Sequence, residues 1–159
     1  TDEYGGSFEN RIRFLLETVR MVREVWPERY PLGVRLSCTE WVADGWQVDD
    51  SVALARALKS EGVDIIDCSS GGNVAHARVP AGAGYQVPLA EAVRCGAGIP
   101  TQAVGLITDP AQADEIIRNG RADMVLLGRE LLRHPYWPYH AAQALKITPP
   151  LPPQYLRAY

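Results

Sequence analysis

The chain has 159 residues, 47% of them hydrophobic and 22% charged, which is an ordinary composition for one globular domain. Its formal net charge is −3 and its basic residues form no cluster with interleaved aromatic residues, so we expect no nucleic-acid partner. No apolar stretch approaches the roughly 18 residues of a membrane span, and residues 1–11 (TDEYGGSFENR) do not resemble a signal peptide, so we expect no membrane association and a cytoplasmic location.

The three cysteines, Cys38, Cys68 and Cys95, are an odd number with no C-x-x-C spacing. This argues against a disulfide framework and against a zinc site, and it suits a reducing cytosol. Cys38 and Cys68 each lie at the end of a predicted strand, where we expect small buried side chains and not nucleophiles. We therefore predict no metal site.

The chain opens with a predicted helix. Ser7 is a natural N-cap, Glu9 lies in the first turn, and apolar residues recur at helical spacing from Ile12 until Pro27 ends the helix. Residues 31–38 (PLGVRLSC) then alternate between apolar and other side chains, which predicts a strand.

Arg35 is the exception within that strand. A charged side chain in an otherwise buried strand is costly unless a partner neutralises it, so Arg35 predicts either a bound anion or an ion pair within the protein. The pattern alone leaves both readings open. The following loop, residues 39–50, contains two tryptophans and is longer than most strand-to-helix connections, which is typical of a loop that covers a site.

Three further strand–helix units follow. The predicted strands are 63–72, 99–107 and 123–127, and the predicted helices are 52–58, 87–94, 110–120 and about 139–146. The strand at 63–72 is apolar on both faces and ends in SSGG, whose small residues let a ligand approach the backbone. Asp109 and Pro110 form the N-cap and first turn of the helix after the third strand. Residues 147–159 are proline-rich and predict an extended tail.

The alternation of strands and helices defines the fold class as α/β. Near-continuous apolar strands predict a parallel sheet with right-handed crossovers, either open and doubly wound or part of an eight-fold barrel. The first strand is not followed by G-x-G-x-x-G, which argues against a dinucleotide-binding doubly wound fold. Four strands of a barrel leave two apolar edges that other residues must cover. We therefore predict half of a larger functional unit.

The last two strands each end in a glycine beside the start of a helix. Gly105 follows the strand in AVGLITDP, and Gly128 with Arg129 follows the strand in ADMVLLGR. The phosphate site of a (β/α)8 barrel is frequently built by the loops after strands 7 and 8, where backbone N–H groups and a guanidinium can converge. If the final strand is the eighth, these residues mark a phosphate site. Otherwise Gly128 turns the chain and Arg129 covers a surface.

Six motifs, in order, resemble the Old Yellow Enzyme family of FMN-dependent ene-reductases, most of all its thermophilic-like subclass. They are TDEYGGSFENR, GVRLS around Arg35, GVDIIDCSSG, AVGLIT around Gly105, NGRADMVLLGRELLR and the terminal PPQYLRAY. The resemblance covers essentially all of residues 1–159. It implies the C-terminal half of a TIM (β/α)8 barrel, from helix 4 through strand 8 and helix 8, within a single FMN-binding domain. It also implies FMN as cofactor and NADPH or NADH as reductant.

The resemblance implies roles for individual residues. Arg35 would contact the N1/O2 edge of the isoalloxazine, where a cation stabilises negative charge on the flavin. Arg157 would be an arginine finger that reaches into the active site of a neighbouring subunit, with residues 147–159 and Tyr159 at the interface of a homodimer or tetramer. The other cofactor contacts would be Ser69, Ser70 and Gly71 at the ribityl chain and Gly105, Gly128 and Arg129 at the phosphate.

The reaction that the resemblance implies is ping-pong. NAD(P)H reduces FMN, and flavin N5 then passes hydride to the β-carbon of an α,β-unsaturated carbonyl compound while a protein acid protonates the α-carbon. The family's substrate-anchoring pair and proton-donating tyrosine would lie before Thr1. We therefore expect this chain alone to be inactive and to need an N-terminal half-barrel, on the same or a separate chain.

Two other functions stay open at this point. The chain could be a non-catalytic half-barrel that binds FMN or phosphate, or that self-associates into a pseudo-barrel. A different phosphate-binding barrel, such as an aldolase, is less favoured because none of the four predicted strands contains a lysine that could form a Schiff base.

Overall fold

The computed structural model describes residues 2–149 and 151–158. Four parallel strands form one sheet in the order β1-β2-β3-β4, so neighbours in the sequence are neighbours in the sheet. The strands are β1 (Gly33–Ser37), β2 (Ile65–Ser69), β3 (Thr101–Val104) and β4 (Met124–Leu126). The α-helices are α1 (Phe8–Val25), α2 (Val48–Ser60), α3 (Val87–Ala97), α4 (Pro110–Arg118), α5 (Arg129–Arg133) and α6 (Trp137–Ala144).

The predicted helix starts are confirmed at two positions. The Ser7 hydroxyl accepts a hydrogen bond from the Asn10 backbone N–H at 3.3 Å and caps α1. The Asp109 carboxylate accepts from the Gln112 N–H at 2.9 Å, with Pro110 in the first turn of α4. Each cap satisfies a backbone donor that the first turn of a helix leaves without a partner, so local sequence alone defines where these helices begin.

The sheet has one face packed against the helices and one face that is not. Leu36, Ile66 and Ala103 point toward the helices and belong to the buried core. Because successive side chains alternate across a strand, the neighbouring residues point to the opposite, inner face. There an in-register row crosses all four strands, made of Arg35, Asp67, Gln102 and Met124.

The inner row corrects one sequence expectation. The second strand was expected to be apolar on both faces, as in a sheet covered by helices on both sides. Asp67 instead places a carboxylate on the inner face of β2, level with Arg35. Met124, at the end of the same row, is half exposed. The inner face therefore has the partly polar character of a barrel interior near a site.

Two aspartates hold the amino ends of the strands together. The Asp64 carboxylate accepts from the Arg23 guanidinium and from the Leu32 N–H, both at 2.8 Å. Asp123 repeats this arrangement two units later, accepting from Arg94 Nε at 3.0 Å and from the Thr101 N–H at 2.9 Å. Each aspartate thus joins a helix to the start of a strand in the preceding unit, at the end of the sheet opposite the predicted site.

The C-terminal tail differs from its prediction. Pro153–Ala158 form a 3-10 helix, so the expectation of a wholly extended tail is wrong over these residues. Proline fixes φ near −65°, a value that a first helical turn shares with extended proline-rich chain, which explains why composition did not distinguish them. Tyr159, expected at a subunit interface, lies outside the described residues.

We expect Asp123→Asn to lower the free energy of unfolding by about 0.5–1 kcal/mol near neutral pH, a charge-assisted contact discounted for partial exposure. Burial acts against ionisation of Asp123, but Arg94 and the Thr101 N–H outweigh it and hold its pKa below the ordinary value. The stabilisation is therefore present above the unfolded-state pKa and is lost as the pH falls through the folded-state pKa.

Chemical denaturation from pH 7 down to about pH 2 measures this effect. The difference in the free energy of unfolding between the wild type and Asp123→Asn should disappear at acidic pH. Asp114→Asn is the matched control, because Asp114 pairs with Arg118 one turn away on the same helix, α4. A gap that stayed constant across this range would contradict the assignment.

Candidate functional site

A cleft of about 380 Å³ opens where the carboxyl ends of the four strands meet. Parallel strands in sequence order bring all their C-terminal loops to this one edge. Seven of the eight residues expected to form the site line the cleft: Arg35, Ser69, Ser70, Gly71, Gly105, Gly128 and Arg129.

Arg35 enters the cleft from the inner face of β1. Its Nη1 donates to Asp67 Oδ2 at 2.5 Å, so the ion pair that the sequence left open is present. The Arg35 side chain is 57% exposed, which corrects the expectation of a buried guanidinium. This exposure leaves the rest of the guanidinium accessible from the cleft.

Gly105 is required by both conformation and space. Its φ of +130° lies in a region that L-residues with a side chain rarely adopt. A Cβ placed there would lie 3.0 Å from the Tyr85 ring and 3.1 Å from Gln86 Nε2. The strand end therefore presents bare backbone to the cleft.

Gln86 holds that strand end in position. It is only 4% exposed, and its amide Nε2 donates to the Val104 carbonyl at 2.9 Å. Its Oε1 accepts from the Ser70 hydroxyl at 2.7 Å, which joins the loops after β2 and β3. Sequence reasoning gave Gln86 no role and Tyr85 only a weak one. The available signal was a polar residue placed directly before the apolar start of α3.

Gly128 and Arg129 form the other side of the cleft. A Cβ at Gly128 would meet nothing within 4 Å, so this backbone is open to an approaching group. Arg129 makes no ion pair or hydrogen bond with its side chain within the described part of the chain. The next arginine along α5, Arg133, is by contrast paired with Glu130 at 2.7 Å. Among the described residues Arg129 is thus a cation without a partner, at the mouth of the cleft.

Ser69 and Gly71 line the cleft between these two regions. The Ser69 hydroxyl donates to the Leu36 carbonyl at 2.9 Å, which turns its oxygen lone pairs toward other donors. Gly71 has a φ of +68°, and a Cβ there would lie 3.4 Å from a ring atom of Trp41, a residue of the loop expected to cover the site. These contacts fix the backbone at Ser69 and Gly71 and do not involve the guanidinium groups of Arg35 and Arg129.

The remaining predicted residues lie elsewhere. Arg157 is exposed on the 3-10 helix and does not line the cleft. Cys38 and Cys68 are fully buried, as expected, and are free thiols. The hydrogen bond to Cys38, together with burial, raises the pKa of Cys68, which disfavours its thiolate form. These two residues are therefore part of the packed core.

The chain is similar in sequence to a known family of flavin enzymes. Residues 1–147 match the family described as NADH:flavin oxidoreductase / NADH oxidase. The chain is 54% identical over 158 residues to an NADPH dehydrogenase of Geobacillus thermodenitrificans, covering 99% of this chain and 46% of the relative. It is 48% identical over 159 residues to an NADPH dehydrogenase of Bacillus subtilis, covering 100% of this chain and 46% of the relative. The chain thus spans about half the length of these relatives.

The fold of the chain is similar to parts of two solved enzyme structures. A 2-naphthoyl-CoA reductase in complex with 2-naphthoyl-CoA superposes with a TM-score of 0.79 at 26% identity, over 91% of this chain and 23% of that one. A 6-hydroxypseudooxynicotine amine oxidase from Pseudomonas geniculata N1 gives 0.72 at 25% identity, over 92% and 22%. These are TIM-barrel enzymes, so the α/β half-barrel prediction is confirmed, and the shorter length is consistent with a C-terminal half.

The match supports FMN as the cofactor and NADPH or NADH as the reductant. The cleft fits the phosphate of such a cofactor on its own chemistry: Arg129 has no partner in residues 2–149 and 151–158, and the backbone beside it at Gly128 is open. Within the described residues, no helix has the length and apolar character needed to cross a membrane.

A pair of glycine substitutions tests the geometry of the cleft. We expect Gly105→Ala to lower the free energy of unfolding by about 1–3 kcal/mol, because the new Cβ is strained by the positive φ and crowded by Tyr85. Gly128→Ala is the control, since Gly128 has a φ of −76° and an open Cβ position. With a ψ of −90°, just outside the helical region, its free energy of unfolding should change by less than about 1 kcal/mol. If thermal unfolding showed equal losses of stability in Gly105→Ala and Gly128→Ala, the backbone geometry described for Gly105 would be wrong.

Proposed function

Because the chain belongs to the NADH:flavin oxidoreductase / NADH oxidase family, we propose that it forms the C-terminal half of an FMN-dependent ene-reductase. The substrates would be α,β-unsaturated carbonyl compounds whose activated C=C bond is reduced at the expense of NADPH or NADH. The observation that carries the proposal is that two arginines line one cleft together with bare glycine backbone. Arg35 comes from the first strand, and Arg129 follows the last strand.

The phosphate would bind between the ends of β3 and β4. Arg129 would supply a charge-assisted hydrogen bond to it, and the backbone at Gly105 and Gly128 would approach it without obstruction by side chains. Gln86 would keep Gly105 in place through the Val104 carbonyl. The positive φ of Gly105 fixes the direction of this backbone before any ligand binds, which reduces the entropic cost of binding.

Arg35 would face the N1/O2 edge of the isoalloxazine ring. When bound, FMN accepts hydride from the nicotinamide and delivers it from N5 to the β-carbon of the alkene. The exposed part of the Arg35 guanidinium would favour negative charge at that edge, while Asp67 holds the other part. Ser69, Ser70 and Gly71 would lie along the ribityl chain between the two arginines.

The complete enzyme would need residues beyond these. A substrate-anchoring pair and a proton-donating tyrosine would come from the N-terminal half-barrel, which would also cover the inner face of the sheet. Arg157, exposed and outside the cleft of its own chain, would act in the site of a neighbouring subunit in a dimer or tetramer. The chain alone would be inactive. The cytoplasmic location stays a prediction from the sequence.

Substitution of Arg129 tests the phosphate assignment. We expect Arg129→Ala to weaken FMN binding by about 1.5–3 kcal/mol in the complete flavoprotein, because a charge-assisted contact is lost. Flavin fluorescence titration gives the dissociation constant. The control is Arg118→Ala, which removes an arginine of α4 that pairs with Asp114 on the surface. FMN affinity equal to that of the wild type in Arg129→Ala would refute the assignment.

A chimaera tests the proposed reaction. The matching 158 residues of the Geobacillus thermodenitrificans NADPH dehydrogenase are replaced with this chain, which is 54% identical over that span. We expect the purified chimaera to be yellow and to oxidise NADPH when cyclohexenone is added, and the chain alone to do neither. A folded, flavin-loaded chimaera that reduces no enone would contradict the ene-reductase proposal. A yellow, non-catalytic homodimer of the chain alone would favour the binding-module alternative.

A further inference from the structure

We propose that Asp67 is a positioning residue that fixes the Arg35 guanidinium and moderates its charge toward the flavin. The inference rests on the proposed FMN site but concerns a residue to which the resemblance assigns no role, although it lies within the motif GVDIIDCSSG. Asp67 acts through Arg35 and contacts no cofactor atom itself.

The two side chains are joined by the sheet as well as by their ion pair. Arg35 on β1 and Asp67 on β2 are register partners, so the hydrogen-bonded strands hold their Cα atoms opposite each other. Arg35 Nη1 donates to Asp67 Oδ2 at 2.5 Å. Because both residues lie within regular strands, neither backbone can move away without breaking the ladder.

Asp67 is the fixed member of the pair. Its side chain is 15% exposed, whereas that of Arg35 is 57% exposed. Within the described part of the chain, Asp67 is the one side chain that forms a hydrogen bond or ion pair with the Arg35 guanidinium. A long arginine side chain has many rotamers, and a single carboxylate that is 15% exposed selects the one that pairs with it on the inner face.

The carboxylate depends on Arg35 in return. Its second oxygen, Oδ1, is buried and has no hydrogen-bond partner among the described residues. A buried carboxylate with few partners is costly unless a cation stays beside it. The next residue of the inner row, Gln102, donates to Met124 Sδ at 3.2 Å and so does not satisfy Asp67. The guanidinium is therefore held in the same place whether or not an anion occupies the cleft.

This arrangement has a consequence for flavin chemistry. A full positive charge at the N1/O2 edge favours the reduced flavin and raises its midpoint potential. The Asp67 carboxylate offsets part of that charge at short range. Asp67 would thus lower the potential and keep the reduced cofactor a stronger hydride donor. A merely structural ion pair would alter stability but leave the potential unchanged.

The test is the midpoint potential of the FMN-loaded enzyme. We expect Asp67→Asn to shift the oxidised-to-reduced equilibrium toward reduced flavin about tenfold, or about 30 mV for a two-electron couple. Asp67→Glu, which keeps the charge, should restore most of the wild-type value. Asp123→Asn is the matched control, since Asp123 pairs with Arg94 at the opposite end of the sheet and should leave the potential unchanged.

A double-mutant cycle shows whether the effect passes through Arg35. In an Arg35→Gln background, Asp67→Asn should cause no further shift. An unchanged potential in Asp67→Asn, or an equal shift with and without Arg35, would overturn the proposal. If Asp67→Asn does not fold, Asp67→Ser replaces it with the same expectations.

A measurement without flavin separates this inference from the proposed function. In the ¹⁵N NMR spectrum of the apoprotein, the Arg35 guanidinium should give resolved Nη signals in the wild type and averaged signals in Asp67→Asn. A complete wild-type enzyme, with its N-terminal half-barrel, that binds no FMN would refute the proposed function. Averaged signals already present in the wild type would refute the positioning role of Asp67, whatever the result with FMN.

Discussion

The parallel, in-order pairing of four short strands is the constraint on which the site depends. Each strand contributes its carboxyl end to the same edge of the sheet, so Arg35 and Arg129, 94 residues apart in the sequence, reach one cleft. Helices are needed between the strands because parallel neighbours cannot be joined by tight turns. The aspartates Asp64 and Asp123 secure the opposite edge, which leaves the carboxyl edge available for ligand binding.

The two faces of the sheet explain why half a barrel can form the cleft proposed to bind the cofactor. The outer face is closed by helices and provides the buried core. The inner row from Arg35 to Met124 is partly polar, and its two end residues are about half exposed in this chain, which spans 46% of its relatives' length. The cleft lies beyond the carboxyl ends of the strands, so the loops that follow the strands form its walls. Covering the inner row, by contrast, needs residues that this chain does not contain.

Several features of the fold and the cleft could be predicted because they have local causes. Ser7 and Asp109 were identifiable as caps, and glycines after apolar runs identified the strand ends at Gly105 and Gly128. Asp67 was missed because one acidic residue within an apolar run does not disturb the strand pattern, and its significance comes from register with Arg35. Gln86 was missed because its partners, the Ser70 hydroxyl after β2 and the Val104 carbonyl at the end of β3, come together only in the folded chain.

The most direct test of the account is a crystal structure of the FMN-loaded protein. The account predicts the phosphate beside Arg129 and the backbone of Gly105 and Gly128, with the N1/O2 edge of the ring within hydrogen-bonding distance of an Arg35 that still contacts Asp67. A phosphate bound away from Arg129, or a flavin whose N1/O2 edge points away from Arg35, would contradict it.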